Sequence, residues 1–207
     1  MDLLPRLAGE LIPGVISRRP TNLVYLTFDD GPDPDTTNRT LDILNQAGVS
    51  AAFFLTGFRV EQHPEVVRRI KEEGGLIGSH GYHHCSLLRA DRSTIIPDLR
   101  RSIEVIQDAS GLRPRLFRPP YGRFNPGLIR IAEALQLKIV LWSLIALDYQ
   151  IKDASYLIRR IVTRAVGGDI ILLHDQGRGA PIMLKALPAI IDGLHERGLE
   201  MGSLANL

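Results

Sequence analysis

The chain has 207 residues, 44% of them hydrophobic, with a formal net charge of +2 and a single cysteine. That length supports one well-buried core and is short for two. The basic residues form no stripe, which argues against a nucleic-acid partner. One cysteine excludes an internal disulfide framework, and no apolar run approaches the roughly 20 residues that cross a bilayer, so stable membrane insertion is not expected.

In chain order, residues 1–21 read as an N-terminal extension packed on the domain, with a weak amphipathic helix at residues 3–12. They lack the pattern of a secretory signal. The expectation is therefore a cytoplasmic or peripherally membrane-associated protein, unless a leader precedes this sequence. Residues 22–207 read as one domain. Short apolar runs rich in β-branched and aromatic residues predict buried strands at 23–28, 52–55, 76–78, 116–118, 139–142 and 170–173. Amphipathic stretches predict helices at 36–47, 64–73, 92–109, 126–135, 154–166 and 183–197. Gly48, Gly74 and Gly198 stand where helix C-caps are expected. A last short strand is expected at 199–204. The double arginines 68–69, 100–101 and 159–160 fall in helices and read as solvated faces. Alternating strands and helices imply an α/β fold with a parallel sheet. About seven strands in a chain shorter than the roughly 250 residues of a full eightfold barrel point to an irregular barrel, with a doubly wound sheet as the alternative.

The strongly polar residues gather at the C-terminal ends of the predicted strands, the end where barrel active sites are built. Asp29 and Asp30 close the first run and enter a Gly31-Pro32 turn. Strand alternation points adjacent side chains apart, but a turn can bring both into one site, one as a cation ligand and one as a free base. An Asx-type turn is the bland alternative. His80 and His84 are four apart, a spacing that puts two imidazoles on one side of a helical turn. Histidine suits zinc and related metals. His83 reads as a supporting or solvent-facing residue, Cys85 as a small packed one, and His63 and His195 as surface residues. Asp30, His80 and His84 together make a two-histidine, one-carboxylate set. Three protein ligands with open positions mark a catalytic metal site. Non-haem iron oxygenases use a similar set, although on antiparallel barrels.

These residues carry a resemblance to the polysaccharide deacetylase family, which has the NodB-homology domain and is carbohydrate esterase family 4. The similarity runs from about Asn22 to Leu204. The run Thr27-Phe28-Asp29-Asp30-Gly31-Pro32 matches the first family motif in full. His80-Gly81-Tyr82-His83-His84-Cys85 matches the second with two departures, Gly81 for a hydroxyl residue and Cys85 for proline. Arg118-Pro119-Pro120-Tyr121-Gly122 matches the third, and Leu172-Leu173-His174 the fifth. In the fourth, Ile145 replaces the first aspartate and Tyr149 the tryptophan, while Asp148 keeps the second aspartate.

The resemblance implies an irregular, TIM-barrel-like (β/α)7 catalytic domain. It implies a divalent metal, zinc first and cobalt or nickel as alternatives, on Asp30, His80 and His84. Asp29 would be the general base, held by Arg118. Tyr121 would offer its backbone N–H to the oxyanion, and His174 would be the general acid with Asp148 keeping it protonated. The implied reaction is removal of acetyl groups from N-acetylated sugars, with a carbohydrate as the partner. Two other readings stand beside it. One is hydrolysis of another C–N amide bond, in a small amide or a formylated lipid-linked sugar. The other is a carbohydrate-binding protein that has lost catalysis. Ile145 is expected to alter support around Arg118, or the substrate, rather than abolish chemistry.

Overall fold

The computed structural model describes residues 12–206. The helix expected at residues 3–12 lies, but for its last residue, outside them. Among the described residues there are eight strands: β1 (Val15–Ile16), β2 (Tyr25–Asp29), β3 (Ala52–Leu55), β4 (Leu76–Ser79), β5 (Leu116–Phe117), β6 (Lys138–Val140), β7 (Leu144–Ile145) and β8 (Ile170–His174). Seven α-helices lie between and after them: α1 (Thr36–Ala47), α2 (Gly57–Gln62), α3 (Pro64–Glu72), α4 (Arg92–Ser110), α5 (Pro126–Ala134), α6 (Ala154–Arg164) and α7 (Ala180–Glu196). Among the described residues no helix is long and apolar enough to cross a membrane.

All the strands belong to one parallel sheet in the order β1-β6-β5-β4-β3-β2-β8-β7. β1 and β7 are its edges, so the sheet curls without closing into a hydrogen-bonded ring. One side-chain contact crosses the inside of the curl. β2 and β5 stand three strand spacings apart in the sheet, roughly 14 Å if it were flat. Arg118, directly after β5, nevertheless reaches Asp29 at the end of β2 across 2.7 Å. The expected irregular α/β barrel is the fold observed.

Alternation sorts the side chains between the two faces of the sheet. Leu26 and Phe28 of β2 pack with Phe53 and Leu55 of β3 and with Leu41, Leu44 and Leu187 of the covering helices. Tyr25 faces the other way, with Ala52, Phe54, Leu116, Val140 and Ile170 in a separate cluster on the inner face. Thr27 and Asp29 share this inner parity. Every residue of β2 is buried. A strand covered on both sides therefore delivers a carboxylate to the inside of the curl.

Four details differ from expectation. β1 lies within the stretch read as an extension and pairs with β6 at Val15↔Ile139 and Ile16↔Val140. β7 and α2 were not foreseen, because two-residue strands and a six-residue helix opening on glycine carry too little periodicity to read. The strand expected at 199–204 is a single bridge between Val24 and Met201, followed by a 3-10 turn, Leu204–Asn206. Arg160 is not on a solvated face: it is 9% exposed, and its Nε donates to the Ile145 carbonyl of β7 across 3.0 Å.

Candidate metal centre and active site

Asp29 ends β2 with extended geometry, and Asp30 turns sharply away at φ 78°. That turn brings two adjacent carboxylates to one cavity despite strand alternation. The peptide that follows, Gly31-Pro32, is cis. Glycine at position 31 leaves room for the Asp175 carboxylate, whose oxygens would stand 2.8 and 2.9 Å from a Cβ there.

His80 and His84 meet, but not on a helix. They stand in an irregular loop after β4, with Gly81 at φ 77° and His84 at φ 53°. Their rings lie 5.0 Å apart. The helical reading of the four-residue spacing is thus corrected: two left-handed residues, not a helical turn, bring the rings together. The loop is held from outside by Asp98 of α4. Its carboxylate accepts from the Tyr82 N–H (2.9 Å), the His83 N–H (3.1 Å) and His83 Nδ1 (2.8 Å). Ser79 Oγ accepts from the Gly81 N–H across 3.1 Å. Cys85 is exposed rather than packed.

Ligand atoms of Asp30, His80 and His84 all lie within 4.8 Å of one another. His84 Nε2 is 3.0 Å and His80 Nε2 3.5 Å from Asp30 Oδ1. That buried oxygen has no hydrogen-bond partner of good geometry. His80 Nδ1 is engaged by the Arg118 carbonyl at 2.6 Å, which directs the Nε2 lone pair toward the carboxylate. Burial pushes His80 below its ordinary pKa, against the pull of Asp29 and Asp30. Burial would raise Asp30, but His84, His80 and His174 outweigh it and hold the carboxyl at about 2. Two imidazoles beside an ionised carboxylate, with one oxygen lacking a donor, fit a divalent cation.

Arg118 is fully buried. Its Nη1 donates to Asp29 Oδ1 (2.7 Å) and Thr27 Oγ1 (2.8 Å), its Nε to the Val140 carbonyl, and its Nη2 to the Leu141 carbonyl. The guanidinium lies 4.0 Å over the Phe54 ring. Backbone carbonyls and a threonine thus hold the Arg118 side chain in place. Asp29 Oδ2, the other oxygen, stands 3.8 Å from His80 Nε2. Tyr121 has φ 63° and ψ 10° in the turn Pro120–Gly122, and its ring packs edge-on against His84 at 5.0 Å. The next two N–H groups donate to Pro119 and Pro120, whereas no described acceptor takes the Tyr121 N–H.

At the end of β8, His174 Nδ1 is 2.8 Å from Asp148 Oδ1, and the His174 N–H donates to Asp148 Oδ2 across 2.7 Å. Burial would lower the imidazole, but Asp148, with Asp29 and Asp30, pushes it up to about 9. Tyr149 stands edge-on to the His174 ring at 5.3 Å. Asp175 is buried behind this wall, pushed up to about 7 by burial and by Asp30 and Asp29, with the Thr37 hydroxyl opposing.

Asp29, Asp30, His80, His84, Tyr121 and His174 line one cavity of about 650 Å³. Arg118 and Asp148 lie directly behind it as partners of Asp29 and His174. Trp142, Ile145 and Tyr149 form part of its wall, and Arg123 and Arg178 part of its rim. The sequence reading gave no role to Thr27, Asp98, Asp175, Arg123 or Arg178. Thr27 had a signal, since it shares strand parity with Asp29. Asp98 had none, because its partners come from another element.

The sequence profile of the polysaccharide deacetylase family matches residues 17–140. A chitooligosaccharide deacetylase of Rhizobium leguminosarum bv. trifolii is 33% identical over 195 residues, covering 87% of this chain and 89% of that protein. The peptidoglycan-N-acetylmuramic acid deacetylase PdaC of Bacillus subtilis is 32% identical over 185 residues; the match covers 89% of this chain, which spans only 38% of that longer protein. A solved peptidoglycan N-acetylglucosamine deacetylase superposes with a TM-score of 0.91 at 30% identity, covering 96% of this chain and 94% of that one. The chain belongs to the polysaccharide deacetylase family.

Proposed function

We propose that this protein removes acetyl groups from the amide nitrogens of N-acetylated amino sugars in a glycan, using a divalent metal. The observation that carries the reading is the shared cavity, with Asp29 beside the Asp30, His80 and His84 cluster and the His174–Asp148 pair on another wall. The catalytic unit is read as residues 22–207, with the preceding segment contributing edge strand β1.

Asp30, His80 and His84 would hold the metal, and zinc suits two imidazoles and one carboxylate. A divalent cation bound there would supply Lewis acidity to the amide carbonyl and to the attacking water. Asp29 takes the proton of the attacking water through Oδ2, since Oδ1 is occupied by Arg118. The free Tyr121 N–H donates to the oxyanion, a contribution of about 3 kcal/mol for one well-placed donor. His174, protonated at neutral pH through Asp148, delivers its proton to the departing nitrogen. The nitrogen then leaves as a neutral amine rather than an amide anion. Exposed Tyr121 and Tyr149 offer faces on which sugar rings stack.

The test is acetate release from N-acetylglucosamine oligomers. Release should stop on chelation and return with added zinc, cobalt or nickel. A metal-loaded protein inert toward these oligomers, peptidoglycan fragments and small acetylated sugars would remove the proposal.

A further inference from the structure

The cavity has a charge imbalance that the reaction does not use. Among the described residues, its only lining carboxylates are Asp29 and Asp30. Asp29 is matched by buried Arg118, and Asp30 lies against the His80 and His84 rings with which it would hold the metal. Two further cations, Arg123 and Arg178, line the same cavity from exposed positions. Neither has a carboxylate partner among the described residues.

Their placement is also specific. Arg123 directly follows the turn Pro120–Gly122, which carries the Tyr121 N–H. Its guanidinium lies 5.7 Å from the Tyr121 ring centre, which limits where it can swing. Arg178 sits in the turn Gly177–Gly179, four residues after His174. Each guanidinium is thus tethered within a few residues of a group proposed to act on the scissile amide, and the two come from different strand ends. A ligand group that meets both must lie close to the reacting acetamide. Guanidinium presents a planar fork that pairs with a carboxylate through two parallel hydrogen bonds. The same cations offset the repulsion that Asp29 and Asp30 exert on an entering anion.

Building on the deacetylase reading, we infer that Arg123 and Arg178 select an acidic amino-sugar glycan, one bearing a carboxylate on the acetylated sugar or its immediate neighbour, over a neutral one. The carboxylate has two possible sources, an ether-linked acid on the sugar itself or the peptide attached to that acid.

Three substrates of equal glycan length separate the cases: a neutral N-acetylglucosamine oligomer, a muramic-acid-containing strand without peptide, and the same strand with peptide. The metal-loaded enzyme should favour at least one acidic strand by about 10- to 100-fold in kcat/KM, the range expected of charge-assisted hydrogen bonds. The difference should lie mainly in KM and shrink as salt rises. Preference for the peptide-free strand assigns the carboxylate to the sugar ether; preference for the peptide-bearing strand alone assigns it to the peptide. The Arg123→Ala/Arg178→Ala variant should bring acidic and neutral substrates to within about threefold of one another. The Lys/Lys variant, which keeps the charge but not the fork, should fall between. Both rates come from one preparation, so partial misfolding lowers them together and leaves the ratio informative. A wild-type enzyme that prefers the neutral oligomer, or an alanine variant that keeps the acidic preference, overturns the inference while leaving deacetylation intact. Inactivity on all three substrates overturns the deacetylase reading itself, and the inference with it.

Discussion

Two cation–carboxylate pairs flank the cavity, alike in length and different in kind. Arg118 meets Asp29 at 2.7 Å with both side chains buried, at 0% and 3% exposure. His174 meets Asp148 at 2.8 Å, with the imidazole 15% exposed. In the first pair the cation cannot lose its proton in the working pH range, so it holds the carboxylate in place as a permanent acceptor. In the second the carboxylate is the fixed member, and the cation is the one that can release a proton. Under the proposed mechanism, the same interaction prepares a base on one side of the cavity and an acid on the other. The environments match these tasks. Arg118 is buried among the Val140 and Leu141 carbonyls, Thr27 and the Phe54 ring. His174 opens onto the cavity.

The largest effect expected on this contrast comes from removing the acid. His174→Ala should lower kcat by about 10²–10⁴-fold while leaving zinc content unchanged. The effect should be smaller on an activated ester, whose leaving group needs no proton. Next is the buried pair. Arg118→Ala strands Asp29 without its cation and should cost about 3–5 kcal/mol of stability, read by urea denaturation. An equal loss from an exposed arginine such as Arg39 would show that burial is not the reason. Third is the outer support of the histidine loop. Asp98→Asn should weaken zinc binding by about 10- to 100-fold, measured by chelator competition, because the loop loses an acceptor for its N–H groups. Unchanged affinity would mean that the loop holds its shape without α4.

The smallest is a shift rather than a loss. His174 is raised from its ordinary value of 6.5 to about 9. The stability this pair contributes is therefore complete below about 6.5 and lost as pH rises through about 9. Activity that depends on protonated His174 should fall over the same upper range. Asp148→Asn should move that alkaline limb down by about one to two pH units. A limb that stays in place would assign it to another group.

Much of this was readable in the sequence, for physical reasons that also mark the limits. β3 (Ala52–Leu55) and α1 (Thr36–Ala47) match their expected bounds, because a buried parallel strand and an amphipathic helix ending at Gly48 write strong local patterns. β1 and β7 are two residues each, and only their neighbours make them strands. The histidine spacing pointed to a shared site, yet the backbone reaches it through left-handed Gly81 and His84. A four-residue interval cannot tell a helical turn from a folded loop. The fourth motif is the clearest case. Ile145 pointed to altered support for Arg118 or an altered substrate, and the backbone carbonyls of Val140 and Leu141 hold that side chain without an aspartate there. Carbonyls are present at every residue, so sequence cannot single them out. Ile145 instead forms part of the cavity wall.

The central claim is that Asp29 acts beside a metal it does not hold. It is tested most directly by measuring zinc content and acetate release on the same preparations of wild-type protein and Asp29→Asn. The account predicts equal zinc in both, acetate release by the wild type, and a fall of at least about 10²-fold in the variant. Undiminished release by a zinc-loaded Asp29→Asn protein would contradict it.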